Sequence, residues 1–202
     1  MKAAIDADHV PVALGAQTCH FADAGAYTGE VSAGMLATLE VRYVIAGHSE
    51  RRAQWGETDE VVRDKVDAIY RHAMRPILCI GETTDERHSG VAEKKVRRQV
   101  AAALGDRPAE LVAAAVIAYE PLWAIGAGAT ATPDDLAEMC TAIRDELGRL
   151  AGADAAAMVR IQYGGSVTAE TSEVLLGAEN VDGFLVGGAS LDAEQFAAIV
   201  IG

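Results

Sequence analysis

Six short apolar runs recur along the chain: Val12 to Ala16, Tyr43 to Ala46, Ile77 to Ile80, Ala114 to Tyr119, Val159 to Tyr163 and Phe184 to Val186. Each is continuous rather than alternating, the pattern of a strand buried on both faces. Segments of helical periodicity lie between them. Glu60 to Ala73, Ala92 to Leu104 and Asp134 to Leu150 are the longest, the last preceded by Thr132 as cap and Pro133 as first helical residue. Ser32 to Leu39, Thr168 to Leu176 and Ala193 to Ile201 are shorter. Strand and helix alternate at roughly 30-residue spacing, which predicts an α/β fold with a parallel sheet made of βα units.

The residues that interrupt this pattern decide between two architectures. Gln17, His48, Gly81 with Glu82, Glu120, Gly164 to Ser166, and Gly187 with Gly188 each follow a strand. A βα barrel gathers such positions on one face, where catalytic groups sit. An open doubly wound sheet concentrates its ligand contacts at a switch point, usually behind a G-x-G-x-x-G turn. No such turn opens a helix here, so the expectation is a (β/α)8-type barrel forming a single domain over residues 1–202. Only six βα units are legible, because Gly105 to Ala113 and Ala151 to Ala157 lack the apolar run of a strand. The barrel is therefore expected to be incomplete or open.

Charge narrows the partners. With 30 acidic against 17 basic residues the net charge is −13, which works against sequence-independent binding to nucleic acid or an anionic membrane. An anionic ligand must be held locally. Cys19, Cys79 and Cys140 lack paired spacing, so neither a disulfide framework nor a zinc site is expected. His9, His20, His72 and His88 have no ligand-like spacing either, and no metal or other cofactor is expected. Met1 to Val10 carries one Lys, two Asp and no apolar core, and no apolar run reaches about 18 residues. The chain reads as soluble and cytoplasmic.

Glu120 closes the strand Ala-Val-Ile-Ala-Tyr-Glu. A carboxylate at an apolar strand end is partly desolvated, which raises its pKa and suits it to act as a general base. The alternative is a Glu paired with a basic residue. The residues after it favour the base: Pro121, an apolar middle and a glycine-rich end through Gly126 and Gly128 describe a lid that excludes water. His48 lies in Gly-His-Ser-Glu-Arg-Arg, with Ser49 expected to cap a helical turn and Glu50 and Arg51 to form ion pairs holding the loop. Backbone N–H groups at a helix start favour a neutral imidazole, which can donate to a carbonyl oxygen. Gly164-Gly165-Ser166 and Gly187-Gly188 follow the last two strands. Glycines there let backbone N–H groups and a Ser hydroxyl approach phosphate without a basic side chain.

These motifs together resemble the triosephosphate isomerase family. The resemblance rests on Gly-His-Ser-Glu-Arg-Arg (47–52), Cys-Ile-Gly-Glu (79–82), Ala-Tyr-Glu-Pro-Leu-Trp-Ala-Ile-Gly (118–126), Tyr-Gly-Gly-Ser-Val (163–167) and Val-Asp-Gly-Phe-Leu-Val-Gly-Gly-Ala-Ser-Leu (181–191). It implies interconversion of dihydroxyacetone phosphate and D-glyceraldehyde 3-phosphate through an enediolate, in glycolysis and gluconeogenesis. Glu120 would move the proton and His48 would polarise the carbonyl. Gly126, Ser166, Gly187 and Gly188 would bind phosphate, with Ser49 and Glu50 supporting the site. Cys19 to Glu30 resembles the loop that the family inserts into a second subunit, which implies a homodimer.

One family motif has no counterpart. The first strand of the family ends in Asn-x-Lys, whose lysine binds substrate, and the matching motifs begin here within the family's second helix. Lys2, Lys65, Lys94 and Lys95 lie in other contexts. The competing reading is a catalytically impaired phosphate-binding or interaction protein on the same scaffold.

Overall fold

The computed structural model describes residues 1–125 and 130–201. It divides into two compact units, Met1–Leu78 and Cys79–Gly202. The strand Arg75–Ile80 runs through the boundary.

The first unit contains α1 (Lys2–Ala7), β1 (Gly15–Ala16), α2 (Ala33–Thr38), β2 (Tyr43–Ala46), α3 (Ser49–Trp55), α4 (Asp59–Arg71) and most of β3 (Arg75–Ile80). Its strands are parallel, with Gly15 opposite Tyr43, and Tyr43 to Ala46 opposite Arg75 to Leu78. Helix α4 starts where its sequence dictates: the Thr58 side chain accepts from the Val61 N–H, and Asp59 and Glu60 occupy the positive end of the helix dipole. Val62, Val66 and Ile69, spaced four and three apart, form its buried stripe. Strand β1 is shorter than the apolar run that predicts it. Val12 folds back on itself, its N–H donating to Val10 O, and ladder bonding begins only at Leu14 O, which accepts from Arg42 N–H. Val12 is consequently exposed.

The second unit holds the end of β3, then α5 (Thr84–His88), α6 (Ala92–Leu104), α7 (Ala109–Ala114), β4 (Val116–Tyr119), α8 (Pro133–Ala151), α9 (Ala153–Met158), β5 (Arg160–Gly164), α10 (Ala169–Leu176), β6 (Gly183–Leu185) and α11 (Ala193–Ile201). Val116 to Tyr119 pair in parallel with Arg160 to Tyr163, and Gln162 to Gly164 with Gly183 to Leu185. The predicted opening of α8 is present as a reciprocal cap between Thr132 and Asp135, with Pro133 first in the helix. The stretches that read as lacking strands hold most of helices α7 and α9. The first of them takes Ala114 out of the expected strand, so β4 starts at Val116.

Every residue of β4 is buried, and Ile117, Tyr119, Ile161, Tyr163, Leu136, Ile143 and Leu147 are fully so. Each such aliphatic side chain contributes roughly 1.5–3 kcal/mol by leaving water. Cys19 in the first unit and Cys79 and Cys140 in the second are free thiols, all buried. The α/β class with parallel strands is as the sequence predicts.

Candidate active site

His48 stands just past the carboxyl end of β2 in the first unit, half-buried. It is itself the N-cap of α3, which corrects the expectation that Ser49 would cap the turn; Ser49 is the first residue of the helix. Nδ1 of His48 accepts the Glu50 N–H at 3.3 Å. A nitrogen that accepts carries no proton, so the ring hydrogen sits on Nε2, as a neutral hydrogen-bond donor requires. The Glu50 backbone supplies this bond, while the residue itself is exposed.

The rest of the Gly47-to-Arg52 motif holds this cap in place. Gly47 has φ +74°, and a Cβ there would approach Arg52 to 2.8 Å and Val62 to 2.9 Å. Arg52 donates to the Gly47 carbonyl at 2.7 Å and to Asp59 at 2.8 Å. Arg51 donates to Glu57 at 2.7 Å. Of the expected pair, Arg51 makes its ion pair with Glu57, just before α4, and Arg52 makes another with Asp59 at the start of that helix. Glu57 also receives Lys65 Nζ at 2.5 Å, and Lys65 reaches Thr18 Oγ1 at 2.9 Å. Burial pushes the Glu57 pKa up, but Lys65 and Arg51 outweigh it and hold the carboxyl below the usual range.

The segment assigned by resemblance to subunit contact lies in the same unit. The His20 ring stacks on Phe21 and lies 4.0 Å from Tyr27, centroid to centroid. Asp23 is tied to His72 at 2.8 Å and Arg71 at 3.1 Å, and these contacts hold its pKa down. Phe21 and Tyr27 remain partly exposed.

Glu120 follows β4 in the second unit and is 3% exposed. Its N–H donates to the Ile80 carbonyl at 2.7 Å, and the Leu122 N–H donates to Glu82 O at 3.0 Å. Two glycines make room for it. A Cβ on Gly81 would stand 1.9 Å from the Glu120 carbonyl oxygen, and one on Gly164 would stand 2.9 Å from its Cγ. Gly165 has a similar reason, since a Cβ there would meet the Tyr163 hydroxyl at 2.3 Å. Close contacts thus favour glycine at 164 and 165. Gly187 and Gly188 differ: a Cβ on either would meet nothing within 4 Å. Both are exposed, Gly187 capping and Gly188 opening the short 3-10 turn Gly188–Leu191. Ser166 is exposed, and its hydroxyl donates to Ala124 O at 3.4 Å. Gly126 lies outside the described residues.

Two further groups surround Glu120 to which the sequence alone assigns no role. Glu82 is fully buried, and its Oε1 accepts Tyr119 Oη at 3.0 Å and Trp123 Nε1 at 2.8 Å. Burial and the Glu82 charge both push the Tyr119 phenol up. Arg87 lies 4.4 Å over the Trp123 ring, 3.6 Å from Glu82 and paired with Asp135. The second group is Gln99 of α6, whose side chain accepts the Gly81 N–H at 2.9 Å. The sequence does carry signals for both: a charged residue beside a strand-end glycine, and a glutamine within an otherwise apolar helix stripe.

Among the described residues, no group of three or more His, Cys, Asp or Glu is placed to hold a metal, and no helix is long and apolar enough to cross a membrane.

Parallel strands that alternate with helices, in each unit, are the pattern of the βα enzyme class, in which chemistry is mounted on strand-end loops. A family model described as triosephosphate isomerase matches residues 1–202. The triosephosphate isomerase of Carboxydothermus hydrogenoformans is 52% identical over 191 residues, covering 95% of this chain and 76% of that protein. Those of Chloroflexus aurantiacus and Streptomyces coelicolor are 50% and 47% identical, covering 98% and 97% of this chain and 79% and 76% of theirs. The chain belongs to the triosephosphate isomerase family.

Proposed function

We propose that the chain is an intramolecular isomerase that interconverts dihydroxyacetone phosphate and D-glyceraldehyde 3-phosphate. Glu120 takes a proton from the carbon beside the carbonyl, leaving an enediolate, and returns it to the neighbouring carbon. His48 donates from Nε2 to the carbonyl oxygen as charge develops there, and takes up the proton of the neighbouring hydroxyl, so that the ketone oxygen ends as a hydroxyl and the hydroxyl oxygen as the aldehyde carbonyl. Ser166 and the backbone of Gly126, Gly187 and Gly188 hold the phosphate, while Ser49 and Glu50 support His48. Residues 1–202 act as one functional domain in the cytoplasm, and the Cys19-to-Glu30 segment serves a homodimer, which sedimentation would test.

The single observation that supports this reading most is the burial of the Glu120 carboxylate at the end of β4, against a glycine that leaves room for it. A binding protein has no need of a desolvated base held this way. The purified chain is expected to isomerise glyceraldehyde 3-phosphate, and Glu120→Asp, which withdraws the carboxylate by one methylene, to lower kcat about a hundredfold while the fold persists. A chain that binds a phosphorylated enediolate analogue but turns nothing over would instead be the phosphate-binding protein of the competing reading.

A further inference from the structure

Gln99 is 3% exposed, on the buried stripe of α6 with Val96, Val100 and Ala103. A glutamine is an unfavourable choice for such a position unless its amide is satisfied. Its Oε1 accepts the Gly81 N–H at 2.9 Å, 18 residues away and out of water. Because Gly81 supplies the donor, the accepting atom must be the amide oxygen.

The bond acts on one peptide plane. The N–H of Gly81 and the carbonyl of Ile80 belong to the same rigid unit. At one end Ile80 O accepts the Glu120 N–H at 2.7 Å, and at the other Gly81 N–H is gripped by Gln99. Gly81 cannot carry a Cβ, since one would collide with Glu120 O at 1.9 Å, so the position that most needs fixing has the most backbone freedom. Rotation of that plane would break both bonds and release the backbone from which the Glu120 carboxylate projects.

We propose that Gln99 is a positioning residue for the isomerisation, aligning Glu120 through the Ile80–Gly81 peptide. The inference rests on the reading of Glu120 as the base. Gln99→Met removes the accepting oxygen at nearly constant volume, and Gln99→Glu keeps it. Gln99→Met is expected to lower kcat about tenfold with KM within about twofold, since misalignment acts on the reacting atoms and not on phosphate binding. Gln99→Glu is expected to recover kcat to within about threefold of the unaltered chain. In a Glu120→Asp background, where the carboxylate is already withdrawn, Gln99→Met is expected to lower kcat by less than about threefold further.

A Gln99→Met kcat within twofold of the unaltered chain overturns the proposal. So does a Gln99→Glu variant as impaired as Gln99→Met, or an undiminished tenfold loss in the Glu120→Asp background. If Gln99→Met does not fold, Gln99→Asn carries the same comparison, because its oxygen stops one methylene short of Gly81. Glu120→Asp with unchanged kcat overturns the reading of Glu120 itself, whatever Gln99 does.

Discussion

A methyl group on Gly164 would stand 2.9 Å from Cγ of Glu120 and 3.5 Å from its Oε1. The Glu120 side chain thus lies directly over the end of β5. Gly164→Ala is expected to displace the carboxylate by a fraction of an ångström to an ångström, lowering kcat about ten- to a hundredfold. Steady-state kinetics with circular dichroism checks this; an alanine variant with unaltered kcat would show that the base tolerates a crowded floor.

His48 presents Nε2–H because Nδ1 is occupied by the Glu50 N–H. His48→Gln keeps an amide donor but loses the cap geometry and the reach of the ring. The expected loss in kcat is on the order of 10²–10³, the usual effect of removing one donor aimed at a developing oxyanion. The melting temperature should move by only a few degrees, separating chemistry from stability.

Lys65 and Glu57 are each 4% exposed at the side chain and 2.5 Å apart. Lys65→Met leaves a buried carboxylate with Arg51 and is expected to destabilise the fold by about 3–5 kcal/mol. The same pair sets an acid limit. Glu57 titrates lower in the folded chain than its ordinary value of 4.5, so its contribution is complete above that value and drains away as pH falls toward the folded pKa. Urea melts below pH 4.5 should show a steeper loss of stability in the unaltered chain than in Glu57→Gln.

Arg87 covers Trp123 and lies against Glu82 and Asp135. Arg87→Met keeps much of the packing but removes the charge, leaving Glu82 with a phenol and an indole. A loss of about 2 kcal/mol is expected, the arginine being partly exposed. Trp123 fluorescence should change with it.

The strand and helix periods were legible because apolar residues repeat at the spacing each element requires, as in Val62, Val66 and Ile69 of α4. Ends were less legible. Val12 is as apolar as any strand residue, yet a local turn to Val10 claims its N–H before the sheet can. The Gly-Gly pair at 164–165 reads as an anion loop, and its glycines also leave room for Glu120 Cγ and the Tyr163 hydroxyl. The first of these contacts spans more than forty residues, which spacing does not encode. The partner of Gln99 is not legible for the same reason: it is 18 residues away, and only the folded chain shows which amide it meets.

Cys19, Cys79 and Cys140 are each 1% exposed or less, and burial first of all pushes the Cys19 and Cys140 thiols up to about 11 and about 12. Thiolate is the form that reacts with alkylating reagents and disulfides. Burial keeps all three sulfurs from such reagents while the chain is folded, one in the first unit and two in the second. Pulsed alkylation with mass spectrometry turns two of them into clocks: label on Cys19 times the opening of residues 1–78, and label on Cys140 times that of residues 79–202.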